Sequence, residues 1–480
     1  MNVKKILTDS GVGLVRQSVT VLRGILLLPI ITKLISVEAY ATWTLIFATV
    51  SILMGLGNLY LYGSLIRYRP EEESKGQTLS DLLFISFFAS IATGMIAFVI
   101  IGKVVPLSDQ SFWGLTIPVI GGLLVSTRIV GLIIRNVPRS EGRVKIYETI
   151  IMTEKALGTA VLVIALLVTK NIAAGLLSIT ATLVLVYISL LLVYLPERVN
   201  KPKLDNFKKY FVFSSPLAVK ELSGKLFTQS DRFVILFFLS PAAVGIYSAA
   251  YGLSAMFSDL TRIFNGTLFP TVTSAWENNE FEELNRFYVN FTTGYLLLAI
   301  PALFGISLLS RPILEFLATD QIARQGWILV PLLALSFIFH GFENVLTYVL
   351  KATKETQHMA ISTVIALITN LLFNIVLIPL IGLAGAALAM IVGMFVRLVY
   401  IYYHVRPHIT IVVPRTKLIK FIFSSLLMSL LLLLLTRTQD QVLFQIVFYP
   451  IIGCIVYFVA VYYTGGITKR DLARLRSLLQ

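Results

Sequence analysis

The sequence predicts an all-α polytopic membrane protein with fourteen transmembrane helices. Three observations carry that expectation. Of the 480 residues, 57% are hydrophobic and only 14% charged, against ~45–50% and ~25% in soluble domains. Apolar runs of about 20 residues, the length an α-helix needs to cross hydrocarbon, recur along the whole chain. Lys and Arg also follow the loops. Counted from a cytoplasmic N-terminus, inside loops and tails hold 25 of the 40, and outside loops hold five: Lys103, Lys170, Arg311, Arg324 and Arg437. That asymmetry puts both termini in the cytoplasm.

The spans fall at 10–35, 40–65, 80–102, 112–134, 146–168 and 172–195, then at 210–239, 242–268, 287–310, 326–350, 358–380 and 383–404, and last at 417–436 and 442–464. The first holds Arg16, Arg23 and Lys33 and lacks a small-residue cleavage site, so it reads as a span and not as a secretory signal. A charged run from Arg67 to Glu73 follows the second, and the basic loop from Arg135 to Lys145 separates the fourth from the fifth. The sixth is free of charge and ends at the basic linker up to Lys209. The seventh is long and interrupted by Lys220, Glu221, Gly224 and Lys225, which invites a bend. Pro379 to Gly382 punctuates the eleventh and twelfth. The thirteenth is apolar all round from Phe421 to Leu435.

The same reading excludes several function classes. Every loop is short, the longest outside one running from about 310 to 325, so no segment folds as a soluble catalytic domain. No GxSxG, HExxH or GxxxxGK[ST] motif is present. Cys454 is the single cysteine and the four histidines lack metal-ligand spacing, so neither a metal site nor a cofactor is expected. The net charge of +15 lies mostly on the cytoplasmic loops. It points to anionic membrane lipids as partners, not to nucleic acid.

An internal repeat organises the chain. Leu34 to Trp43 and Phe238 to Tyr247 align at an offset of 204 residues, with Ser36 on Ser240, Ala39 on Ala243 and Trp43 on Tyr247. Six helices separate the copies, so both cross in the same direction. Two parallel six-helix halves with a site between them is a transporter arrangement. The expected divisions are 1–200, 201–408, and 409–480 for the last two helices and a basic tail.

Ten basic residues fall inside six of the spans. Charge at membrane depth costs roughly 2.5 kcal/mol or more and is kept for a polar interior or a substrate path. Arg16 and Arg23 are seven residues apart, on one helical face. Arg16 is close enough to the interface to snorkel, whereas Arg23 is too deep. Glu221, Lys225, Thr228 and Arg232 form a second polar face at i, i+4, i+7 and i+11. It reads either as a cavity stripe or as a self-neutralising pair beside a structural Asp231–Arg232. Asp259 and Arg262 sit at i, i+3 in the eighth span. His340 and Glu343 do so in the tenth, as a proton relay or a satisfied contact. Arg128, Glu154–Lys155 and Arg397 read as helix-to-helix pairs. A cationic interior suggests an anionic cargo.

At Ser230 to Tyr251, and again at Leu377 to Ala389, the chain resembles the multidrug/oligosaccharidyl-lipid/polysaccharide exporter superfamily. Within it the chain is most similar to the polysaccharide transporters, or O-antigen-type flippases. Tyr40 to Leu45 and Arg135 to Tyr147 are looser matches. The resemblance implies V-shaped lobes of helices 1–6 and 7–12 that rock around a cavity lined by helices 1, 2, 7 and 8. It implies a diphosphate held by Arg16, Arg23 and Arg262 with Lys225 and Arg232, and helices 13 and 14 sheltering a polyprenyl tail.

The implied function is a flippase, not an enzyme. It would move undecaprenyl-diphosphate-linked oligosaccharide to the outer leaflet of a bacterial plasma membrane for O-antigen, capsule or exopolysaccharide synthesis, in contact with polysaccharide assembly proteins. H⁺ or Na⁺ coupling would fall to Glu221, Asp259 or Glu343. A multidrug cation antiporter and a peptidoglycan lipid flippase are the neighbouring alternatives. A membrane glycan polymerase or ligase is the alternative of another class, and the short outside loops speak against it.

Overall fold

The computed structural model describes residues 23–24, 26–71, 76–106, 109–194, 200–203, 205–258, 269, 271–410, 414–436 and 441–467. The architecture is helical, with one two-stranded hairpin among the described residues. Eleven described helices are long and apolar enough to cross a membrane. The expected first and eighth spans lie partly outside the described residues. The seventh is the 34-residue helix Asp205–Phe238, whose Lys, Arg, Asp and Glu residues keep it out of that count.

The first compact unit is Met1–Ser248. Its helices are α1 (Val37–Asn58), α2 (Leu61–Tyr68), α3 (Gln77–Val104), α4 (Ile117–Ser140), α5 (Val144–Thr169), α6 (Ile172–Tyr194), α7 (Asp205–Phe238) and the start of α8 (Pro241–Ser254). Ser36 caps α1 by accepting from the Ala39 N–H at 3.0 Å. Ser240 does the same for α8 with the Ala243 N–H at 3.2 Å. The aligned serines of the repeat are thus equivalent caps.

The expected second span is broken. Leu59 and Tyr60 both adopt left-handed backbone, φ 46° and 60°, and separate α1 from α2. Non-glycine residues in that region carry strain and need tertiary support. Ser64 Oγ, 2.8 Å from Ser214 Oγ, ties α2 to α7, as does the Tyr62 hydroxyl donating to Glu221 at 3.3 Å. A Cβ on Gly63 would stand 2.2 Å from the Tyr60 ring, so a larger residue there would have to displace that ring.

The fourth span runs further than its hydropathy suggests. The hairpin pairs Ser111 with Thr116 and Phe112 with Leu115, turning on Trp113 and Gly114, both at positive φ as a type I′ turn demands. α4 then continues through Arg135 and Arg139 to Ser140, with Pro138 in its last turn. α4 meets α3 at a glycine contact: a Cβ on Gly122 would lie 2.8 Å from the Gly94 carbonyl oxygen. Such small-residue contacts let helices approach closely where no hydrophobic force drives them together.

The second unit is Ala249–Gln480. It contains α9 (Phe281–Leu317), α10 (Asp320–Gly326), α11 (Leu329–Ala352), α12 (Gln357–Ile381), α13 (Leu383–Val405), α14 (Arg415–Thr436) and α15 (Val442–Tyr463). α11, α12 and α13 pack together, and α14 and α15 pack on α9. The latter contact buries Leu296, Leu309, Phe421, Met428, Tyr449 and Tyr457. The Tyr457 hydroxyl donates to the Leu297 carbonyl at 2.9 Å, so its polar end is satisfied where water is absent.

Asp81 anchors the segment that leads into α7. It is fully buried and accepts from the Lys203 N–H at 2.8 Å, Asn206 Nδ2 at 2.8 Å, Gln77 Nε2 at 2.7 Å and the Tyr210 hydroxyl at 3.1 Å. Removing the acceptor leaves one buried donor, the Tyr210 hydroxyl, and three part-buried ones without their partner, at about 3 kcal/mol. Asp81→Ala is therefore expected to lower the thermal midpoint of the detergent-solubilised protein by several degrees, and Tyr210→Phe by less. An unchanged midpoint for Asp81→Ala would show that this cluster is not a structural anchor.

Candidate functional site

α1 forms the back wall of a cavity of about 590 Å³ in the first unit. Trp43, Thr44, Phe47, Val50, Ser51 and Met54 line it, at the i, i+4, i+7 and i+11 spacing of one helical face. Two contacts show what flanks that face. A Cβ on Gly57 would meet Ile129 of α4 at 2.5 Å, and one on Gly55 would meet Leu222 of α7 at 3.5 Å. Positions 55 and 57 point to opposite sides of the Phe47 face on a 100° helical wheel. The two neighbouring helices therefore stand on either side of the aromatic wall.

Both neighbours bring cations. α4 contributes Arg128, Arg135 and Arg139, together with Asn136. α7 contributes Lys225 and Arg232, with Gln229 and Glu221. α5 adds Lys155 and Tyr147, and α2 adds Tyr62. Among the described residues the wall thus holds six cations and one carboxylate, Glu221. Arg135 is compensated from α5, its Nη1 standing 3.2 Å from Glu154 Oε2. The guanidinium carbon of Arg128 lies 5.4 Å from the centroid of the Phe47 ring, and that of Arg139 lies 5.3 Å from Tyr147. Both are cation–π distances. Arg232 donates to its own-helix Thr228 carbonyl at 3.0 Å.

Of the residues singled out in the sequence, Lys225, Arg232 and Glu221 line this cavity. Glu221 and Lys225 form no ion pair with each other among the described residues. Arg23 is half-buried, with its guanidinium carbon 6.0 Å from the same Phe47 ring that carries Arg128. Arg16, Asp259 and Arg262 lie outside the described residues. Asp231 is buried and accepts from the Tyr247 hydroxyl at 2.6 Å. Glu343 belongs to the second unit, with Arg397 Nη2 at 3.0 Å and His340 Nδ1 at 3.2 Å on its two oxygens.

Sequence reasoning missed the α4 row. Arg128 was expected to pair with another helix, and Arg135 and Arg139 to lie in a loop. They sit instead at i, i+7 and i+11 of one helix, the same spacing that marks α7. Glu154 pairs with Arg135 rather than with its neighbour Lys155, which lines the cavity.

A wall of this charge concentrates anions and repels cations. With Cys454 replaced by Ser, a cysteine at Ser51 is expected to react faster with a sulfonate-bearing thiol reagent than with a trimethylammonium one of equal size. Lys225→Gln and Arg128→Gln should each reduce that preference. Equal rates for the two reagents would contradict a cationic cavity.

A sequence model described as polysaccharide biosynthesis protein matches residues 6–276, and a second, MatE, matches residues 216–376. The chain is 28% identical over 190 residues to a probable low-salt glycan biosynthesis flippase, Agl15, of Haloferax volcanii, a match covering 40% of each chain. It is 30% identical over 166 residues to a probable flippase, AglR, of the same organism, covering 34% of this chain and 35% of that one. The matches thus span well under half the length of these relatives. A solved structure of the lipid II flippase MurJ, in an inward closed conformation, superposes with TM-score 0.76 at 17% identity, over 97% of this chain and 100% of the other. That likeness is one of fold. Because the first match covers more than half of the residues, the chain belongs to the polysaccharide biosynthesis protein family, within the exporter superfamily that its seventh-to-eighth helix segment resembles.

Proposed function

We propose that the chain is a flippase that moves a polyprenyl-diphosphate-linked oligosaccharide, of the undecaprenyl class in a bacterial plasma membrane, from the cytoplasmic to the outer leaflet. The observation that carries this reading is the cavity in the first unit, where cations of α4, α5 and α7 surround an aromatic face of α1. A diphosphate that leaves water needs its hydration replaced. Guanidinium groups supply bidentate, charge-assisted hydrogen bonds for that purpose. Ser51, Asn136 and Gln229 offer neutral partners for sugar hydroxyls, and Trp43, Phe47 and Tyr147 offer flat faces.

Family membership and relatives named as flippases support the same reading. An inside-negative potential favours outward movement of an anion by about 2.3 kcal/mol per charge per 100 mV. The return step is coupled to H⁺ or Na⁺ through carboxylates such as Glu221, Asp259 or Glu343. The polysaccharide made downstream is an O-antigen, capsule or exopolysaccharide. A drug-cation antiporter would want free carboxylates in its cavity, and this wall shows Glu221 alone among the described residues.

The test is leaflet transfer in proteoliposomes. An undecaprenyl-diphosphate oligosaccharide is supplied on one side and read by a probe on the other, for wild type and Arg23→Ala. Wild type is expected to transfer the cargo, and Arg23→Ala to slow it by about tenfold or more, the scale of one lost charge-assisted contact. Wild-type speed in the variant would sink this account of how the diphosphate is held.

A further inference from the structure

The first turns of α3 carry a basic stretch of chain on their side. Residues 200–203, which lead from α6 toward α7, are held along the helix by three hydrogen bonds. The Asn200 N–H donates to Ser80 Oγ at 2.9 Å, the Lys203 N–H donates to Asp81 at 2.8 Å, and Gln77 Nε2 donates to the Lys201 carbonyl at 3.0 Å. Between this stretch and the helix lies a cavity of about 380 Å³, with Leu83, Phe84, Phe87 and Phe88 on one side and Asn200 and Pro202 on the other. Its floor is apolar and open outward: Phe84, Phe87 and Phe88 are 40%, 55% and 56% exposed. On a helix that crosses a membrane, such a face meets acyl chains.

The rim is cationic. Lys201 and Lys203 flank Pro202, and Lys208 follows Phe207, whose ring lies 6.3 Å from that of Phe84. All three lysines are exposed, and none forms an ion pair among the described residues. Lys209, next along, already sits over the Tyr68 ring at 4.0 Å. Asp81 is fully buried with four donors on its oxygens, so it presents no face to the rim. Asp205 is exposed and offsets one lysine at most.

Depth agrees with charge. α3 has 28 residues, ~42 Å at 1.5 Å per residue, against ~30 Å of hydrocarbon. The excess puts its end turns in the headgroup layer, where residues 200–203 cross it. The lysines then stand at the height of lipid phosphates, and Phe84 to Phe88, a turn or two further in, at the height of the acyl chains.

We propose that this cavity binds one anionic phospholipid of the adjoining leaflet, the cytoplasmic one by the charge asymmetry of the loops. Lys201, Lys203 and Lys208 hold its phosphate, and an acyl chain lies between Pro202 and the phenylalanines of α3. A zwitterionic lipid supplies the same chain but brings a cation that the lysines repel. The bound lipid clasps the stretch between α6 and α7 onto α3 and so stabilises that junction. The site shares no lining residue with the cationic cavity and does not depend on the flippase reading.

The experiment titrates the delipidated full chain in detergent with dioleoyl phosphatidylglycerol and with dioleoyl phosphatidylcholine. Native mass spectrometry counts the lipids retained, and thermal unfolding reads the midpoint. One phosphatidylglycerol is expected to bind and raise the midpoint, with phosphatidylcholine about tenfold weaker. Lys201→Gln with Lys203→Gln should weaken phosphatidylglycerol by about thirtyfold, the scale of two lysines beside an anionic lipid. These side chains are exposed, so the lipid-free midpoint should stay at the wild-type value. Lys145→Gln with Lys354→Gln, which removes the same charge from two other loops, should leave binding unchanged. Glycerol 3-phosphate, the headgroup without chains, should not raise the midpoint. Equal binding of the two lipids, or equal loss in the two double variants, overturns the site and leaves only a basic surface. A midpoint raised as far by glycerol 3-phosphate makes the ligand a free phosphate and overturns the lipid assignment.

Discussion

A guanidinium that hydrocarbon would reject has to meet water, a carboxylate or a ligand, and most of the first unit can be read from how its cations do so. Arg135 meets Glu154 from the neighbouring helix. Arg69, almost fully buried at the end of α2, meets Glu141 at 2.8 Å just beyond α4. Arg128, Arg139 and Lys225 meet the cavity. Only a gap between helices allows that last solution, and the gap requires α4 and α7 to be held on either side of α1 instead of closing on each other. Gly55 and Gly57 set those two contacts, and Ile129 and Leu222 fill them. Packing and electrostatics are here one constraint, because the small residues that let α1 sit deep between its neighbours also fix where their charges converge.

The break between α1 and α2 belongs to the same arrangement. Two consecutive left-handed residues with side chains cost of order 1–3 kcal/mol each and persist because the turn is over-determined. Tyr62 reaches Glu221, Ser64 reaches Ser214, and Ser214 Oγ lies 3.5 Å from the Tyr60 carbonyl. A straight helix would carry Tyr62 away from the wall. The strain is thus spent on closing one end of the cavity with an aromatic side chain and engaging its one described carboxylate.

What the sequence made legible follows from which forces are local. Bilayer thickness sets span length, so the ends of α12, α13, α14 and α15 fall within about two residues of the hydropathy expectation. The α7 stripe was readable because its spacing is a property of one helix. The α4 row was not. A rule that ends a span at the first cluster of charge stops before Arg135, yet α4 runs to Ser140. The reason is tertiary: Glu154, nineteen residues away on α5, compensates the charge that would otherwise end the buried helix. The pairing of Glu343 with Arg397 on another helix is equally invisible to i, i+3 spacing, which finds only His340. Leu59 and Tyr60 carry no turn chemistry at all, so nothing local announces the break between α1 and α2.

The two segments aligned at 204 residues meet each other within the first unit. Thr44 and Ser248, 204 residues apart, stand with their hydroxyl oxygens at 3.3 Å, and a Cβ on Gly245 would lie 2.9 Å from the Val37 carbonyl oxygen. The aligned aromatics one residue earlier have diverged. Trp43 faces the cavity, whereas Tyr247 is buried with its hydroxyl on Asp231. The charges diverge as well: at the same offset Arg23 aligns with the buried Phe227, and Arg232 with the buried Leu28. The two helices begin with the same serine cap, yet the charges at aligned positions differ. The cavity wall therefore takes its cations from α4, α5 and α7 and its aromatic face from α1.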